Sequence, residues 1–182
     1  RGVVEFAQAA DAGIVTSMAV SPGTRDAQGL WQPDHAERLL RFSQSIGGAI
    51  AASEFANEPN LIEMTQPPEG YTEADYRRDY ARFHGWMREA SPDTLVLAPG
   101  AAELGEPIET LVRLIPGFAT FDVDELLTSD SPKPDAFSFH FYGSVSKRCG
   151  IPAWGSPDAA AMKPGWLARI ADALRRSAER RA

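Results

Sequence analysis

The chain predicts an α/β domain, a partial (β/α)8 barrel of four parallel β-α units, and three observations carry that prediction. Short apolar runs that read as buried strands recur about every 40 residues, each followed by a helical pattern. Each run is closed by Pro, Gly or a polar turn, the punctuation expected where a buried strand reaches a surface loop. No Gly-x-Gly-x-x-Gly turn, phosphate loop or Gly-x-Ser-x-Gly elbow follows any of them. Four such units fit an open doubly wound sheet or half of an eight-stranded barrel. The missing nucleotide and serine-hydrolase signatures favour the barrel.

The elements follow in order. Val3, Val4, Phe6, Ala7 and Ala10 give a short helical face ending near Gly13. Ile14 to Val20 reads as a strand closed by Ser21-Pro22-Gly23. Pro33-Asp34 opens a helix with Ala36, Leu39, Leu40 and Phe42 on its inner face, and Gly47-Gly48 stops it. Ala49 to Ala56 is the second strand, expected to run to about Glu58, because Pro59 has no N–H for a ladder. Thr72 is the N-cap, with Asp75 three residues on, of a helix carrying Tyr76, Tyr80, Phe83 and Met87 on one face. Ser91-Pro92-Asp93 ends it. Thr94 to Ala98 is the third strand, closed by Pro99-Gly100. Ile108 to Ile115 and Phe121 to Leu127 read as helices, and Ala136 to Tyr142 as the fourth strand, ended by Gly143. A loop of about 20 residues, long enough to suggest function, leads to a helix from Trp166 to about Ala178.

Composition narrows the function classes. At 182 residues, 43% hydrophobic and 24% charged, the chain has ordinary globular character and can hold one sizeable core. A formal charge of −7 argues against a nucleic-acid or anionic-membrane binder. The C-terminal arginines, from Arg169 to Arg181, are interleaved with Asp172 and Glu179 and read as a solvated helix face. No apolar run is long enough for a membrane span, so no membrane insertion is expected. The sequence opens at Arg1; a secreted or periplasmic location is expected if a signal peptide precedes it. Cys149 is the single cysteine, so neither an internal disulfide nor a thiolate metal cluster can form. No His/Asp/Glu trio has metal-ligand spacing, and neither metal nor cofactor is expected.

The chemistry concentrates at strand ends. Asn57-Glu58-Pro59-Asn60 interrupts an apolar run with a carboxylic acid fixed by a proline, at the end of a strand where parallel α/β sheets place their reacting groups. The same four residues are also ordinary turn chemistry. His140 and Tyr142 lie two apart on the fourth strand and so share a face. If Glu58 opens into the same mouth, a carboxylic acid, an amide, an imidazole and a phenol meet there. That set suits glycosidic cleavage, which needs two carboxyl groups oriented by hydrogen-bonding neighbours. His84, beside Trp86 in a helix, reads as structural, and His35 as exposed. Trp31 and Trp154, in loops, are candidates either for stacking on sugar rings or for capping a core edge.

The order of Gln28-Gly29-Leu30-Trp31, a helix, Glu54-Phe55-Ala56-Asn57-Glu58-Pro59-Asn60, Leu97-Ala98-Pro99-Gly100 and Asp135 to Tyr142 resembles glycoside hydrolase family 79, the heparanase and β-glucuronidase family. The Asn-Glu-Pro motif alone is shared across retaining glycosidases of the same barrel clan; the flanking motifs point to this family. The resemblance implies that residues 1–182 are the central portion of a single (β/α)8 catalytic domain, from about its third strand to its sixth helix. It implies Glu58 as general acid/base, and Asn57 as the amide that binds the sugar beside the scissile bond. It also implies Tyr142 as the phenol on the nucleophile, with His140 beside it. The nucleophile, a glutamate on the seventh strand, is expected after Ala182, so this chain alone is expected to be inactive. The implied partner is a carbohydrate, a glucuronide or uronate-containing glycan. Ala101-Ala102-Glu103-Leu104 lacks the basic residues that mammalian heparanase carries there, which argues against highly sulfated heparan. A neutral β-glycoside as substrate, or a sugar-binding barrel that has lost its nucleophile, are the alternatives.

Overall fold

A computed structural model describes residues 1–103, 113–116 and 118–141. Four strands, β1 (Ile14–Ser17), β2 (Ile50–Glu54), β3 (Leu95–Glu103) and β4 (Ala136–Phe141), form one sheet in the order β1-β2-β3-β4. All three pairings are parallel. Helices α1 (Gly2–Ala9), α2 (Asp34–Ser45), α3 (Glu73–Ala90) and α4 (Val123–Leu126) and two 3-10 segments, Pro22–Thr24 and Pro59–Thr65, complete the described elements. The expected α/β fold, with four parallel strands in sequential order, is therefore present; the helix expected after the fourth strand lies outside the described residues.

The two faces of the sheet differ. Val96 and Ala98 of β3 are fully buried against Tyr76, Tyr80, Phe83 and Met87 of α3, together with Phe55 just past β2. Spacing of four, three and four residues puts these α3 side chains on one stripe, and all four are at 0% exposure. The start of α3 is fixed by a reciprocal capping box between Thr72 and Asp75. Register places Val15, Ala52 and Leu95 side by side on the opposite face, and there Val15 is 63% and Leu95 51% exposed. Further along that face Ser17, Glu54, Leu97 and Ala136 stand in one row.

Several sequence expectations change. On α1 the structure buries Val4 and Ala7 but leaves Val3 and Phe6 exposed, and on α2 it buries Ala36, Leu40 and Ser43 rather than Leu39 and Phe42. Each helix buries a narrower stripe than its apolar content allows. β1 stops at Ser17, although the Met18 N–H still donates to the Glu54 carbonyl at 3.0 Å. β2 ends at Glu54, four residues before the expected stop. The segment after it bends, and the Asn60 amide takes over pairing with β3: it donates to the Ala102 carbonyl at 2.9 Å and accepts from the Ala102 N–H at 2.7 Å. β3 does not end at Pro99-Gly100. It runs through them with an irregularity in its register on β4, made possible by Gly100 at φ +72°.

Trp31 is not a stacking platform. It is 1% exposed, edge-on to Phe55 and Phe83, and its indole N–H donates to the Ala19 carbonyl at 3.1 Å. His84 contacts the Lys133 carbonyl at 3.2 Å, and His35 is exposed. The short helix expected over Phe121 to Leu127 is confined to Val123–Leu126. Tyr142, Cys149, Trp154, the loop after β4, the Trp166–Ala178 helix and most of the Ile108–Ile115 helix lie outside the described residues. Among the described residues no helix is long and apolar enough to cross a membrane.

Candidate active site

Where the strands reach their carboxyl ends, β2, the turn after it and β4 bring two glutamates and a histidine together. Glu58 is 7% exposed and opens a 3-10 segment over Pro59–Thr65. Its backbone is left-handed, φ +50° and ψ +54°, a region that residues with a Cβ rarely occupy. Two backbone bonds hold it there: its N–H donates to the Gly100 carbonyl at 3.1 Å and its carbonyl accepts from the Leu61 N–H at 2.8 Å. Pro59, preset for the first helical position, follows it. The conformation turns the Glu58 side chain back toward the sheet, where Oε1 lies 3.1 Å from Nδ1 of His140.

His140 also faces a second carboxylate. Its Nε2 stands 3.6 Å from Oε1 of Glu54, the last residue of β2, which is 5% exposed. The Ser17 hydroxyl donates to Glu54 Oε1 at 2.6 Å, and the Ser138 hydroxyl to Oε2 at 3.4 Å. Ser138 and His140 are two apart on β4, so one strand face supplies both contacts. Gly100 completes the seat: a Cβ there would collide with the Glu54 carboxylate and come within 3.1 Å of the Ala56 carbonyl oxygen. Three strands thus build the pocket for one buried carboxylate. From α3, the Tyr76 hydroxyl donates to the Pro99 carbonyl at 3.4 Å. Burial pushes the Tyr76 phenol well above its ordinary range, and Tyr80, Tyr71 and Glu54 add to the effect, so this group stays neutral.

Of the residues singled out from sequence, Glu58 and His140 are in direct contact. Asn57, next to Glu58 in the chain, is exposed. Tyr142 lies outside the described residues. Glu54, Ser17 and Ser138 escaped the sequence reading of the site. The available signals were a charged residue inside an otherwise apolar run and a serine two positions before His140. A carboxyl group against an imidazole, both reaching the carboxyl end of a parallel sheet, can hold and pass a proton. A surface depression of about 750 Å³ near the start of α2, lined by Arg25, Asp26, His35 and Glu37 among others, contains none of these residues. No protein-family model matches the chain, and no curated protein matches it either.

Proposed function

We propose that this chain is part of a retaining glycoside hydrolase that cleaves β-glucuronide or related uronate-containing bonds on a (β/α)8 barrel. Glu58 is its general acid/base, and the nucleophile glutamate lies outside this chain. The observation that carries the reading is the buried Glu58, held in a left-handed backbone with its carboxyl 3.1 Å from His140. Backbone strain of this kind, about 1–3 kcal/mol, clusters at functional sites. Sequential parallel strands with α3 on one face, and apolar Val15 and Leu95 exposed on the other, suit a sheet whose open face becomes a barrel interior. The sugar class rests on the resemblance to glycoside hydrolase family 79 of Asn57-Glu58-Pro59 in combination with Gln28-Gly29-Leu30-Trp31 upstream and His140-Phe141-Tyr142 downstream.

In the first step the Glu58 O–H bond breaks and its proton passes to the glycosidic oxygen, which leaves as an alcohol while the nucleophile bonds to the anomeric carbon. In the second step Glu58, now a carboxylate, takes a proton from water; the water oxygen bonds to that carbon and the ester to the nucleophile breaks. Asn57 contacts the sugar beside the scissile bond, Tyr142 the nucleophile, and His140 lines the wall. The test is Glu58→Gln in the full-length protein. Turnover of glucuronides with poor leaving groups falls by about 10²-fold or more, and that of activated aryl glucuronides falls less. Azide, added with the activated substrate, restores part of the rate. Equal losses on both substrates without azide rescue would remove Glu58 from this role.

A further inference from the structure

We infer that Glu54 is a positioning residue that fixes His140 with its proton on Nε2, leaving the Nδ1 lone pair to accept from the protonated Glu58 carboxyl. The inference rests on the proposed acid/base role of Glu58 and deepens it. The geometry supplies the order of contacts: Glu54 Oε1 is 3.6 Å from Nε2, and Glu58 Oε1 is 3.1 Å from Nδ1. At 3.6 Å the first contact is electrostatic rather than a full hydrogen bond. A carboxylate facing Nε2 favours a proton there over a lone pair. The nitrogen opposite then presents its lone pair, as where a carboxylate hydrogen-bonded to one ring nitrogen sets the tautomer of a histidine.

The seat of Glu54 is built for an anion. Ser17 and Ser138 donate to its two oxygens, and Gly100 leaves the space the carboxylate fills. A buried carboxyl group is costly unless hydrogen-bonded, and these two hydroxyls supply its bonds. Tyr76, neutral and bonded to the Pro99 carbonyl, does not compete for the charge. The consequence falls on Glu58. With the proton on Nε2, a protonated Glu58 has an acceptor beside it, whereas an ionised Glu58 faces a lone pair. The imidazole so oriented holds the Glu58 hydroxyl in one direction, and Glu54 acts on that carboxyl only through His140.

The test reads the ring directly. In nitrogen-15 labelled full-length protein, the ring whose signals disappear in His140→Gln is that of His140, whatever other histidines stand beside His35 and His84. In the full-length wild type at neutral pH, His140 shows Nε2 protonated and Nδ1 bare. Glu54→Gln, nearly isosteric, removes the charge and lets the amide accept either tautomer, so the preference falls about tenfold or more. In parallel, kcat on poor leaving groups falls about tenfold with little change in KM. A wild-type His140 protonated on Nδ1, alone or as the imidazolium, overturns the inference. So does a tautomer unmoved by Glu54→Gln. The wild-type spectrum decides the matter even where the variant fails to fold. A wild type inactive on every aryl glycoside tried sinks the glycosidase reading instead, and the ring spectrum still decides the role of Glu54.

Discussion

Glu58 occupies a backbone conformation that suits glycine and holds a buried carboxyl, so its side chain works against stability twice. Comparing Glu58→Gly with Glu58→Ala separates the two costs, since both remove the carboxyl but only glycine is at ease at φ +50°. Glu58→Gly should be more stable than Glu58→Ala by about 1 kcal/mol in chemical denaturation. Equal stability would mean that the local chain relaxes out of the left-handed region on mutation. Glu58 was legible in the sequence because Pro59 marks it: a carboxylic acid before a proline, after an apolar run, reads as a strand-end group or as turn chemistry, and His140 and Tyr142 on a later strand favoured the first. Its left-handed backbone was not legible, since no glycine or asparagine stands at the position to announce it. Glu54 was hidden for the opposite reason. A strand expected to run to Glu58 makes Glu54 an interior residue, and only the early end of β2 sets it at the sheet's rim beside His140.

Among the elements, α3 was the most legible and β3 the least. The stripe Tyr76, Tyr80, Phe83 and Met87 and the Thr72–Asp75 box depend on local spacing, which sequence displays. The course of β3 through Pro99 and Gly100 depends on what its neighbours supply: the Asn60 amide on one side and the Glu54 carboxylate over Gly100. Neither is a local property. One buried ion pair on α3 was equally invisible. Asp79, at 0% exposure, pairs with the Arg25 guanidinium, whose side chain is only 5% exposed, and accepts from the Tyr71 hydroxyl at 2.9 Å. Arg25 also donates to the Val20 carbonyl at 2.8 Å and lies over the Tyr71 ring, so the loop between β1 and α2 is clamped onto α3. Asp79→Ala strands the guanidinium in the interior and should cost about 3–5 kcal/mol of unfolding free energy. Arg25→Met combined with Asp79→Leu should recover most of that. A loss under about 1 kcal/mol for Asp79→Ala would show that water reaches the pair.

At the scale of the whole molecule, the described residues cover one face of the sheet more fully than the other. The order of strands and their parallel sense were legible because regular β-α alternation leaves few other topologies. What lies against the open face was not, since periodicity says only that a strand has an apolar side. On that face Val15 and Leu95 are more than half exposed, and on the helices Val3 and Phe6 are 70% and 74% exposed. Apolar surface of this kind, beside a strand that pairs on one side among the described residues, favours association. The 182-residue chain expressed by itself should therefore scatter light as a species heavier than its 19.8 kDa monomer, and should not hydrolyse aryl β-glucuronides. Val15→Lys puts a charge on both the open face and the β1 edge, and should shift the distribution toward monomer; Glu37→Lys, on the side of α2, should not. A monodisperse monomer, unchanged by Val15→Lys, would mean that the less covered face is satisfied within the chain, and the barrel proposal would lose its structural support. Hydrolysis by the isolated chain, abolished by Glu58→Gln, would instead require a second carboxylate within it. Glu54, anchored by two serines and facing His140, is the first residue to replace in that event.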